Sequence, residues 1–174
     1  MSQESKPSER GLSHEGLHKY ITFKLGEEEH GIELTKLREL LGLLEITRLP
    51  RAKPWIFGLI NLRGKVIPVV DLRIKFGMPK AQPTSQSVII VVQLATGGQV
   101  VTMGILVDEV LEVCAIREGE MEPAPDLNDR VDMSFIQGVG KVGSRIVFLL
   151  DIDRILSDRD ESSSRIKEGV HAPC

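Results

Sequence analysis

The 174-residue chain carries 22 Lys and Arg against 25 Asp and Glu, a net charge of -3, and is 41% hydrophobic but only 4% aromatic. That length suits one ordinary domain, or two small units sharing a core. The mildly acidic balance offers no basic footprint for nucleic acid, and scarce aromatics leave the core to Val, Ile and Leu, which favours strands.

Residues 1–17 are polar and rich in Ser, Glu and Gly, so they are expected to form a flexible tail, with order beginning near His18. Tyr20–Leu25 alternates like a strand, Gly26–Glu29 reads as a turn, and His30–Glu33 returns, giving a hairpin. Leu34, Leu37, Leu41 and Leu44 then recur at spacings of three and four, which predicts a short amphipathic helix over Leu34–Leu44. Leu40 and Leu43 widen its apolar surface beyond what one core stripe needs, a surplus that can mark an exposed groove.

Ile46–Leu49 and Trp55–Ile60 read as strands separated by Pro50 and Pro54. The block Gly58-Leu59-Ile60-Asn61-Leu62-Arg63-Gly64-Lys65-Val66-Ile67-Pro68-Val69-Val70-Asp71-Leu72-Arg73 is the most informative of the chain. Two apolar runs flank a Leu-Arg-Gly-Lys corner where Gly64 permits a positive φ and Arg63 is displayed on a loop. Pro68 implies an edge strand or a bulge. Asp71 is placed to cap a short helix over Leu72–Phe76 that ends at Gly77.

Pro79–Gln86 reads as a polar linker dividing two sets of strands. Val88–Leu94, Val100–Val107 and Val110–Ile116 follow as strands, the first two joined at Gly97-Gly98. Residues 117–134 read as an acidic loop. Phe135–Gln137 and Arg145–Leu150 flank a glycine turn, Asp151 to about Asp158 reads as a short helix, and 159–174 as a second flexible tail. Many short strands at regular spacing predict an all-β barrel or sandwich, here two small barrels packed together.

Motifs with chemical connotations lack their contexts. His14-Glu15-Gly16-Leu17-His18 spells H-E-x-x-H, but a zinc hydrolase needs both histidines on one helical face, and Gly16 and the polar tail argue against that helix. Gly138-Val139-Gly140-Lys141-Val142-Gly143 spells G-x-G-x-x-G, yet Ile146–Leu150 follows as a strand where a dinucleotide site needs a helix. Gly58–Lys65 misses a phosphate loop by one residue of spacing and by Val66 in place of Ser or Thr. Asp151 and Asp153 are read as a helix cap and a first-turn charge. Cys114 and Cys174 make no disulfide framework, residues 1–10 lack a signal peptide's apolar core, and the longest apolar runs, such as Val88–Val92, fall far short of a membrane span. These readings point to a cytoplasmic, non-catalytic chain without cofactor or metal.

The order of Tyr20–Gly26, Gly31–Glu33, Ile46–Pro50, Asn61–Arg73, Gly104–Val110, Pro123–Pro125, Phe135–Gly140 and Leu149–Ile152 resembles the CheW family of bacterial chemotaxis adaptors, from about Lys19 to Leu156. The resemblance implies two five-stranded SH3-like β-barrels within a CheW-like domain at 18–158. It also implies an adaptor that couples chemoreceptor tips to the regulatory domain of a CheA-type histidine kinase. Such an adaptor is a monomer in isolation and sits in receptor arrays on the inner face of the cytoplasmic membrane. Positions matching the family's receptor-facing residues are Leu37, Glu39, Gly58, Arg63, Val88, Val113 and Gly138. Departures are His30, where an aromatic residue (usually Tyr) is common, Pro54 displaced by one, and the unusually apolar Leu43 and Leu44. A fragment of a larger receiver-linked adaptor and a tail-borne zinc hydrolase using His14 and His18 are the competing readings.

Overall fold

The computed structural model describes residues 16–124 and 135–156. β1 (Leu17–Leu25) and β2 (Glu28–Glu33) form the expected hairpin, with Gly26 at φ 61° in its two-residue turn. β1 starts at Leu17, so that residue of the expected tail is strand. The Leu34–Leu44 helix does not form. A 3-10 turn, Leu34–Lys36, leads into β3 (Leu37–Leu41), which pairs with β6 (Val88–Thr96). The leucine spacing fits a helix, but Leu40 and Leu41 can pair with the strand-forming Ile90 and Ile89, and sheet context overrides a short local period.

β4 (Ile56–Leu62) and β5 (Lys65–Asp71) form the hairpin around Arg63. Ile46–Leu49 contributes only one bridge, Thr47 to Leu59, through hydrogen bonds of 2.9 and 2.8 Å. β5 is an inner strand, not an edge. Its parallel ladder with β7 (Gln99–Val107) covers Val69–Asp71, so Pro68 lies just outside it and no partner on that side requires its missing N–H. α1 (Leu72–Lys75) begins as expected, with Asp71 Oδ1 accepting from the Arg73 N–H at 3.0 Å.

β8 (Glu109–Arg117) runs on into a 3-10 turn, Glu118–Glu120, and the two-residue β9 (Met121–Glu122), so the first part of the expected acidic loop is ordered strand and turn. Residues 125–134 of that loop lie outside the described residues, as do 1–15 and 159–174 of the expected tails and 157–158 at the end of the expected Asp151–Asp158 helix. β10 (Ile136–Val142) takes up Gly138 and Gly140, leaving Gly143, at φ 63°, as the glycine of the turn into β11 (Arg145–Leu150). A helical turn, 152–156, follows and closes the described chain.

The strands make two sheets, ordered β8-β1-β2-β11-β10-β9 and β3-β6-β7-β5-β4. The second is inserted between β2 and β8 of the first. The 79–86 segment therefore joins two strands of one sheet and does not divide the sets, because both β5 and β6 belong to the inserted sheet. The two sheets repeat one plan. A hairpin (β1–β2, or β6–β7) lies parallel to the second strand of another hairpin (β10–β11, or β4–β5). Gly31 opposite Leu149 and Gly104 opposite Val69 occupy matching places.

Side-chain alternation gives three cores. Ile89, Val91, Val69 and Ile67 fill the hollow of the inserted sheet, with Phe57, Ile60 and Leu106. Tyr20, Ile116, Val147 and Leu149 fill that of the first. The opposite faces (Ile21, Phe23 and Leu25 from one sheet, Ile90, Val92 and Leu94 from the other) meet in the largest cluster, with Val70, Ile105 and Leu150. Strands covered on both faces read as unbroken apolar runs, which is why Val88–Val92 shows no polar alternation.

Candidate docking surface

Arg63 stands at the corner between β4 and β5 with φ 51°, followed by Gly64 at φ 85°. A two-residue hairpin turn with both central residues at positive φ matches the twist of its strands. The Asn61 Oδ1 accepts the Gly64 N–H at 2.9 Å and fixes the turn. An arginine in the left-handed region is strained, and the side chain is 75% exposed. Its Nη2 donates to Glu39 Oε1 at 2.7 Å.

That pair joins the two edges of the inserted sheet. Glu39 is on β3, Arg63 adjoins β4, and these are the terminal strands of the order. The sheet curls until its edges meet, an arrangement the Thr47–Leu59 bridge also makes from the chain following β3. In the first sheet Arg145, at the start of the inner strand β11, reaches across to Glu29 on the neighbouring β2 and to Glu112 on edge strand β8.

The other expected receptor-facing positions have different surroundings. Leu37 and Val88 are half-buried and pack against the core between the sheets. Gly58 is buried; a Cβ there would sit 2.5 Å from Ile46 Cγ2 and 2.6 Å from the Thr47 carbonyl oxygen. Gly138 is likewise buried, with a Cβ position 3.0 Å from the Glu122 carbonyl oxygen. Val113 is exposed, on β8 of the first sheet. The structure thus brings Glu39 and Arg63 together, puts Leu37 on the same strand as Glu39, and assigns Gly58 and Gly138 to close backbone packing.

Exposed leucines follow Glu39 along the chain. Leu40, Leu43, Leu44 and Leu49 remain exposed along β3 and the chain after it, and Val66 is exposed one residue beyond Lys65. Arg48, next to the Thr47 bridge, lies over the Phe57 ring at the start of β4, 4.2 Å from its centroid. The leucine surplus was a usable signal for this apolar strip even though the predicted helix was wrong. Leu49 and Val66 carried no such signal.

Among the described residues no group of three or more His, Cys, Asp or Glu could hold a metal ion, and no helix is long and apolar enough to cross a membrane. His18 lies on β1 opposite Ile116, so the H-E-x-x-H spelling is not borne on a helix at that end; His14 and Glu15 lie outside the described residues. The Cys114 thiol is pushed up by burial and by nearby Glu112, which disfavours the thiolate a nucleophile needs. Asp151 does cap the 152–156 turn, accepting the Arg154 N–H at 3.2 Å, and Asp153 pairs with Lys36 at 3.0 Å.

Comparison with known proteins gives a consistent result. A family model described as a CheW-like domain matches residues 19–160. A chemotaxis protein CheW of Rhizobium meliloti is 31% identical over 149 residues, covering 86% of this chain and 94% of that protein. One of Klebsiella aerogenes is 34% identical over 141 residues, covering 81% and 82%. Among solved structures, the scaffolding protein TtCheW from Thermoanaerobacter tengcongensis superposes with a TM-score of 0.71 at 34% identity, over 79% of this chain and 91% of that one.

Proposed function

Because this chain belongs to the CheW-like family, we propose that it is a non-catalytic adaptor of a chemosensory array, coupling chemoreceptor tips to a CheA-type histidine kinase. The observation that carries this reading is the Arg63–Glu39 pair. A cation is held in a strained turn and oriented by a carboxylate across the seam of a curled sheet, and the strand that carries the carboxylate runs on into a stretch of exposed leucines. Such an arrangement has no nucleophile or acid–base pair, but it has the parts of a docking site: apolar area for burial and one fixed charge for register. The receptor tip docks on this face, with Leu37 and Val88 at its margin. Gly58 and Gly138 act indirectly, by allowing neighbouring segments to lie close. Val113, on the other sheet, extends the contact.

The adaptor works at the inner face of the cytoplasmic membrane without inserting into it, and the kinase regulatory domain uses a separate surface. Purified chain, receptor cytoplasmic fragment and kinase should co-sediment as a ternary assembly in which the kinase is retained only when the adaptor is present. Kinase retention equal with and without the chain would remove the coupling role.

A further inference from the structure

His30 is an unusual residue for its place. It is 3% exposed, on β2, facing the core between the sheets beside Ile32. Phe23 of β1 stacks on it at 6.0 Å between centroids, and Phe148 of β11 lies at 5.5 Å. The fourth ring, Phe76 at 5.6 Å, comes from the end of α1, the element that leaves the inserted sheet. The histidine thus sits where the two sheets are fastened together. Nearby, Arg73 of α1 pairs with Asp108, which also accepts the Gly26 N–H at 2.6 Å.

We propose that His30 is a protonation-sensitive latch between the two sheets, closed while its imidazole is neutral and loosened when it is charged. The neutral ring is satisfied on one side only: Nε2 lies 3.1 Å from Glu28 Oε2, and Nδ1 is buried without a hydrogen-bond partner among the described residues. Protonation would turn Nδ1 into a buried donor with no acceptor, which is costly. The groups facing the ring from β1, β11 and α1 are phenyl rings, which do not titrate. Among the described residues the charge that approaches it is Glu28 on its own strand. The neighbouring charges on β2 and α1 are engaged elsewhere, Glu29 with Arg145 and Arg73 with Asp108. Burial pushes the imidazole below its ordinary value, with Glu28 opposing, and the aromatic faces also favour the cation somewhat.

The sign follows. Above the ordinary histidine value of about 6.5, folded and unfolded chains both hold a neutral ring and the latch contributes fully. As pH falls below that value the unfolded chain takes the proton first, so stability declines, until His30 itself is protonated in the folded chain and Phe76 is released.

The test is a pH series on the full chain labelled for NMR at histidine and phenylalanine, read with thermal unfolding. His30 should titrate below the ordinary histidine value of about 6.5, with the Phe76 ring signals moving at the His30 midpoint. Glu28→Gln, at a largely exposed site, should push that midpoint further down. His30→Phe should flatten the loss of stability below about pH 6.5. A His30 midpoint at or above about 6.5, Phe76 signals that ignore it, unfolding before His30 takes up its proton, or an undiminished acid response in His30→Phe would each overturn the latch.

Discussion

Gly58→Val should lower the melting temperature sharply while leaving the Arg63 corner chemically intact. The added Cβ would lie 2.6 Å from the Thr47 carbonyl oxygen and 2.5 Å from Ile46 Cγ2. A side-chain methyl can rotate away, but backbone oxygen cannot, so the segment carrying Ile46 and Thr47 must leave β4. Overpacking costs about 1–3 kcal/mol, and the two bridge hydrogen bonds, at 2.9 and 2.8 Å, add about 1 kcal/mol each. At roughly 2–4 °C per kcal/mol for a chain of this size, a fall on the order of 10 °C is expected in a thermal unfolding scan. Receptor docking should weaken too, because Leu49 leaves with the segment. Unchanged melting with lost docking would show that Gly58 is itself a contact surface.

Leu37→Asp should damage the free adaptor as well as its docking. Leu37 packs against the core between the sheets and opens β3, opposite Val92. Full burial of a leucine is worth about 1.5–3 kcal/mol, of which a half-buried side chain forfeits about half. Placing a carboxylate against that apolar surface adds about 1–3 kcal/mol. The sum, about 2–4 kcal/mol, is a large share of a stability of about 5–15 kcal/mol. Denaturant unfolding should show a lower midpoint without a change of slope. A midpoint equal to that of the parent, with receptor affinity lost, would place Leu37 entirely in a docking groove.

The β1–β2 hairpin, the Arg63 corner, the Asp71 and Asp151 caps and the all-β class were legible because each rests on local chemistry: alternation, a glycine at positive φ, a side chain that accepts an N–H. The errors have a common cause in long-range pairing. Leu34–Leu44 has a helical spacing that only the presence of β6 defeats. The inserted order of the sheets was hidden because β8 returns to β1 across the whole inserted sheet. One overlooked signal was available, the recurrence of Lys65-Val66-Ile67-Pro68-Val69-Val70-Asp71-Leu72 as Arg145-Ile146-Val147-Phe148-Leu149-Leu150-Asp151-Ile152, a repeated strand-to-helix unit. It relates β5 to β11 and would have suggested two sheets built alike. At the site, Arg63 was readable from its turn, but its pairing with Glu39 was not, since two residues 24 apart meet only when the sheet curls. Its positive φ marks the turn as type I′, in which both central residues take one, whereas the Gly26 and Gly143 turns take it at the glycine alone. His30 stood out only as a departure from an expected aromatic residue; the rings around it come from three separate elements.

The central claim, that the face around Arg63 and Glu39 engages the receptor and not the kinase, is tested most directly by titrating Arg63→Glu against each partner separately. The exchange sets two carboxylates face to face where an ion pair now stands. An exposed pair contributes about 0–1 kcal/mol to folding, so the free chain should melt nearly as the parent does. Like charges at a docking face cost several kcal/mol. Affinity for a receptor cytoplasmic fragment should therefore fall at least about tenfold, each factor of ten being about 1.4 kcal/mol, while affinity for the kinase regulatory domain stays unchanged. Unaltered receptor affinity, or an equal loss toward both partners, would contradict the account.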